Sequence, residues 1–149
     1  MSRKGEASAG ETQGGLQIVR APVSGRDLVV TAFRDEAGNL KLIAWSVNDD
    51  GQITRKGSVT AGTVSLVDLT PGRQGHVVAS VRDSDSNLRL IAFAVRNDGA
   101  IDRVGTDRAG QINQITSSYI NRDGNDFLLT AVRDSDNKLR VISWEANLQ

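Results

Sequence analysis

Arginine followed at once by aspartate occurs three times at matching places, Arg34-Asp35, Arg82-Asp83 and Arg133-Asp134. A guanidinium held at a fixed angle binds a carboxylate or phosphate through two parallel N–H donors, which makes Arg34, Arg82 and Arg133 candidate anion-binding groups. The same placement also lets each arginine pair with its own aspartate or with a neighbouring turn, a purely structural role. Eleven residues after each arginine stands an aromatic: Trp45, Phe93 and Trp144. A flat ring stacks on a sugar or another apolar ligand, so the trio is a candidate glycan-binding set. Recurrence beside Ile43, Ile91 and Ile142 is equally a packing pattern, and core burial is the expectation favoured here.

Other chemistry-bearing groups are fewer. Asp83-x-Asp85-x-Asn87 alternates oxygen ligands as a calcium loop does, but Leu88 and Ala94 stand where an EF-hand needs glycine and glutamate, so a polar hairpin turn is the simpler reading. His76 is the single histidine, with no second one to complete a zinc site. It has no Gly-x-Ser-x-Gly nucleophile elbow to serve as a base. Neither Gly14-Gly15 nor Gly72/Gly75 matches a phosphate loop or dinucleotide fingerprint. No catalytic residue, metal site or cofactor is expected, and the chain reads as a non-enzyme.

The elements that position these residues repeat as well. A second anchor, Arg-x-Gly-x3-Ala-Gly, begins at Arg3, Arg55 and Arg103. In the middle copy the apolar residues fall into short runs separated by turn chemistry, the mark of antiparallel strands. The runs are 64–69, 76–82, 88–95 and 100–104. Pro71 to Gly75 and Asp83 to Asn87 interrupt them, and Asn97-Asp98-Gly99 reads as a primed two-residue turn. The second and third runs are apolar on both faces, as in a sheet stacked between neighbours, whereas the fourth carries Asp102 and Arg103 like a solvated edge.

A unit carrying the Arg-Asp pair, the Asp-x-Asn-Leu turn, the Asp-Gly turn and the Arg-x-Gly-x3-Ala-Gly ending resembles a blade of bacterial multi-repeat β-propellers. The resemblance spans nearly the whole chain and implies an all-β fold with three four-stranded antiparallel blades, while implying nothing specific about function. A single-chain β-trefoil is the alternative three-repeat architecture. The expected organisation is one repeat domain over 1–149: a closing strand and linker at 1–15, then repeats at 16–62, 63–110 and 111–149, the last without its final strand.

Three blades are too few to surround an axis, and two chains supply six. Ser2, Arg3, Lys4, Gly5, Glu6, Ala7, Ser8, Ala9 and Gly10 match the strand missing from the third repeat. Reciprocal exchange of this assembly strand predicts a homodimeric six-bladed ring. A start and stop set within a unit is also the pattern of a fragment, natural or engineered, of a longer propeller.

Composition narrows the partners. Eighteen Lys/Arg balance eighteen Asp/Glu over 149 residues, so no global field recruits nucleic acid or an anionic membrane. There is no cysteine. No signal peptide or apolar run of transmembrane length is evident, and a soluble chain of unassigned compartment is expected. The expected function is a non-catalytic, self-assembling interaction module, with a carbohydrate-binding propeller as the alternative; the expected partner is a second copy, with a glycan or protein ligand of unknown identity.

Overall fold

The computed structural model describes residues 1–146, which contain nine β-strands and no helix. The strands are β1 (Thr12–Val23), β2 (Arg26–Asp35), β3 (Asn39–Val47), β4 (Ile53–Pro71), β5 (His76–Asp83), β6 (Asn87–Val95), β7 (Ile101–Arg122), β8 (Asn125–Asp134) and β9 (Leu139–Glu145). Each pairs antiparallel with the next, giving one open sheet in chain order. The all-β expectation holds at this level.

Two finer expectations need correction. Three separate four-stranded units were expected, but β4 and β7 each run unbroken through two of the expected strands. Residues 53–63 of β4 pair with β3 and residues 64–71 pair with β5; β7 divides in the same way between β6 and β8. The cause lies in the spacer: Val59, Thr60, Ala61, Gly62 and Thr63 contain nothing that forces a turn, so extended backbone continues. The second correction is that the chain does not close on itself. β1 and β9 are opposite edges of the sheet, which is not the closed arrangement required of a β-trefoil.

Hydrogen bonding therefore defines three sections, residues 12–63, 64–111 and 112–145, that are joined through shared strands. They stack face to face. Val30, Leu40 and Leu42 of the first section pack against Val77, Ile91 and Phe93 of the second in one buried cluster. Leu88, Leu90 and Ala92, on the other side of the second section, pack against Ile112, Leu128 and Val132 of the third, with Ile142 and Trp144 at the margin. The second section is thus apolar on both faces because both are covered. Its outer strand, the first half of β7, is mostly exposed over Asp102, Arg103 and Val104, as the polar run predicts.

The turns also repeat. Ser24-Gly25, Gln74-Gly75 and Asp123-Gly124 all have positive φ, which makes them primed two-residue hairpins between the first two strands of each section. The Asn97-Asp98-Gly99 turn differs from expectation. Only Gly99 has positive φ, and its N–H donates to the Arg96 carbonyl while Arg96 N–H donates to that of Ala100. This is a three-residue loop with a left-handed glycine, repeated at Gly51.

Candidate functional site

The three Arg-Asp pairs are divided between two jobs. Each aspartate shapes a turn: one carboxylate oxygen accepts the amides two and four residues on, from Ala37 and Asn39 for Asp35, from Asp85 and Asn87 for Asp83, and from Asp136 and Lys138 for Asp134. Those amide bonds, aided by Arg140 and Lys138, hold the Asp134 carboxyl below the ordinary carboxylate range. The second oxygen of Asp83 faces Arg108 at 3.4 Å and Arg89 at 3.6 Å. The Asp83 to Asn87 loop is therefore a hairpin turn whose leading carboxylate is already engaged.

The arginines are not equivalent. Arg34 donates its Nε to the Val64 carbonyl at 3.0 Å and an Nη to Gln13 Oε1 at 3.2 Å. It thereby ties the first section to the residue where β4 enters the second. Arg82 turns to Ser86 Oγ at 3.0 Å, and its buried Nε has no partner. Arg133 is exposed and makes no hydrogen bond among the described residues; it borders an open cavity of about 710 Å³ with Gln114, Thr116, Asn137 and Leu139.

The aromatics are not three matching open platforms. Phe93 is completely buried between the first two sections and Trp144 packs at the margin of the other core. Each tryptophan donates its indole N–H to a threonine diagonally across the strand pair, Trp45 to Thr31 and Trp144 to Thr130, both at 2.9 Å. Where phenylalanine replaces tryptophan, Ala79 replaces the threonine. This joint exchange satisfies a buried donor only where one exists. Both tryptophans border an open hollow, Trp45 with Ala7, Ile18, Val29, Val47 and Ile53, and Trp144 with Val78, Leu90, Ala92 and Leu128.

Sequence reading missed a polar cluster in the third section. Tyr119 donates its hydroxyl, and Asn121 its side-chain N–H at 2.6 Å, to the same carboxylate oxygen of Asp126. Those two donors lower the Asp126 pKa, while burial and the nearby carboxylate push Tyr119 up to about 12. Nearby, Ser117 donates to Asp68 and bonds Thr70, joining β7 to β4. Asp126 has a counterpart in Asp27, which accepts from Arg20 at the position of Tyr119, but the second section has Gly75 there and the donors differ, so the repeat gives little signal for the cluster. His76 Nδ1 lies 2.8 Å from the Arg73 carbonyl and its Nε2 is buried without a partner.

Residues 2–10 form no strand within the chain. They nevertheless occupy a defined place. Gln52 Nε2 donates to the Lys4 carbonyl at 2.8 Å, and Gly5 lies so close to the Gly51 carbonyl that a Cβ would stand 2.5 Å from it. Gly57 has the same relation to the Gly99 carbonyl, with even less room for a Cβ. Arg3-Lys4-Gly5 thus meets the first section as Arg55-Lys56-Gly57 meets the second.

No family model matches the chain, and no curated protein matches its sequence. Among solved structures it is similar to a chain of "NanB plus Optactamide", with a TM-score of 0.56 and 13% identity over 86% of this chain. The match covers 21% of that chain, so this one spans about a fifth of its length. The likeness is one of fold.

Proposed function

We propose that the chain is a non-catalytic, self-assembling interaction module. Its three sections serve as three propeller blades, and two copies close a six-bladed ring. Ser2 to Gly10 of each copy becomes the outer strand beside β9 of the other. The observation that carries this reading is the pair of matching glycine contacts: Gly5 against Gly51 repeats Gly57 against Gly99. The N-terminal segment therefore already sits where the outer strand of a preceding section would lie. In the same segment Ala7 and Ala9 correspond to Val59 and Ala61, which pack on the core of the next section. The open edge of β9 has no outer neighbour among the described residues. An unpaired edge of this kind pairs readily with an added strand.

The non-catalytic part of the proposal rests on how the candidate groups are used. The aspartates close turns, Arg34 holds a backbone carbonyl and Phe93 is core. Arg133 is the single titratable group bordering the open cavity of about 710 Å³. A glycan-binding reading has less support, because the aromatic positions differ in exposure from unit to unit.

Sedimentation equilibrium tests the assembly. The 149-residue chain is expected at twice its 16.0 kDa mass, and removal of residues 2–10 is expected to give monomer or aggregate. A stable monodisperse monomer for the intact chain would refute the proposal.

A further inference from the structure

The stack of sections ends in two faces that are covered everywhere else in the repeat. On the third section Leu139 is 77% exposed and Val141 63%, while their counterparts Leu88 and Leu90 are 0% and 6% exposed under the third section itself. On the far side of the first section, Ile18 is 69% exposed and Val47 41%, against 5% and 4% for Leu69 and Val95. Both pairs lie at the same strand positions as their buried counterparts. One face is the surface that a following section covers; the other is the surface that a preceding section covers.

We infer that these two faces are the complementary halves of one interface between copies, and that Arg133 locks it by donating to the backbone carbonyl of the partner subunit's Thr12. This deepens the self-assembly reading and rests on it. That reading closes the ring through an added edge strand, and this inference names the apolar faces that meet there and the guanidinium that fixes their register. The warrant for the lock is internal. Thr12 and Val64 are equivalent, since each pairs with the aspartate that follows the repeated arginine, Asp35 and Asp83. Arg34 holds the Val64 carbonyl at 3.0 Å, one section ahead of its own. Arg82 turns to Ser86 Oγ rather than to the equivalent Ile112 carbonyl, and Arg133, at the same place in the third section, has no carbonyl one section ahead among the described residues of this chain. A second copy supplies it through Thr12.

The occupant is a second copy because the two uncovered faces differ from each other and each matches what the other lacks. Stacking in this way is heterologous at the level of sections. It closes when the same contact is made twice around a two-fold axis. The apolar residues exclude water, and the guanidinium sets the register by satisfying a carbonyl at the interface edge.

Arg133→Ala, Arg133→Lys and Val141→Asp separate this inference from the edge-strand reading. Both positions are exposed within one chain, so folding should survive, as near-ultraviolet circular dichroism of the tryptophans would verify. The expected result, by sedimentation equilibrium over a concentration series, is a dimer for the wild type. Its dissociation constant should rise at least tenfold for Arg133→Ala and for Val141→Asp, and less for Arg133→Lys. A dimeric wild type that the Arg133 substitutions leave unchanged overturns the lock and leaves the strand-exchanged ring standing, and one that Val141→Asp also leaves unchanged overturns the stacking of the two faces. A monomeric wild type overturns both readings. Open-ended oligomers growing with concentration overturn the closed pair.

Discussion

Thr130→Val tests whether the tryptophan–threonine pairing is a specific requirement of the core. Thr130 is completely buried and accepts the Trp144 indole N–H at 2.9 Å. Valine keeps the shape and removes the acceptor. An unpaired buried donor costs about 1–3 kcal/mol, and replacing the hydroxyl by a methyl returns something near ~0.8 kcal/mol of apolar burial. The expected net loss is therefore roughly 0.2–2 kcal/mol, at about 2–4 °C in Tm per kcal/mol for a chain of this size. Trp144→Phe alone strands the threonine hydroxyl and should cost a similar amount. The double variant makes the pair wholly apolar, as Phe93 and Ala79 already are in the second section. It should be more stable than the sum of the single effects requires, with a coupling of about 1–2 kcal/mol. Urea unfolding at one fixed protomer concentration measures all four corners of the cycle, since association would otherwise shift the midpoints. Additivity within about 0.5 kcal/mol would refute the reasoning.

Further expectations follow from local geometry. Gly38 has φ +81°, and a methyl added there would meet only Gln13 Oε1, at 3.7 Å, so Gly38→Ala should lose about 1–2 kcal/mol through backbone conformation rather than collision; an unchanged urea midpoint would count against this. The chain has one tyrosine, and the Tyr119 pKa of about 12 against an ordinary 10.0 means the folded state holds its proton longer. Its stabilising contribution is present below the unfolded value and is lost as pH rises from 10.0 toward 12, which phenolate absorbance and thermal melts should follow together. Asp126 and Asp134 act in the opposite direction. Their lowered folded values give stability that is present above the ordinary aspartate value of 3.8 and is lost as pH falls through the folded values, and Asp134→Asn should flatten the acid limb of a pH–stability profile.

The sequence exposes what repeats and hides what does not. Three copies of the Arg-Asp pair and three aromatics eleven residues on are enough to place strands β2, β3, β5, β6, β8 and β9 and their turns, because local turn chemistry and alternation act over a few residues. The fusion of two expected strands into β4 is less legible. Nothing in Val59 to Thr63 forbids a turn, and continuity is decided by which neighbours the two halves find. The Gln74-Gly75 hairpin could have been read from its glycine, whereas the positive φ of Gln74 itself has no sequence signal. Tyr119, Asn121 and Asp126 meet across a strand pair through a register that no single unit reveals. Arg34, Arg82 and Arg133 look identical in sequence, yet Arg82 turns to Ser86 in its own hairpin whereas Arg34 reaches a carbonyl in the next section. For Arg133 that section is not part of the described chain.

The unbroken course of β4 and β7 has a consequence for how such a chain can change in length. The outer strand of one section and the inner strand of the next are one piece of backbone, so a unit has no natural seam. Excision or duplication can fall anywhere along the period and still leave matching ends, provided that what is lost from one terminus is present at the other. In the ring proposed above, such a chain would tolerate changes in phase and be strict about count. If the ring forms, selection on the number of units would act on whether the end of the stack meets its beginning, whatever the number of chains that carry it there.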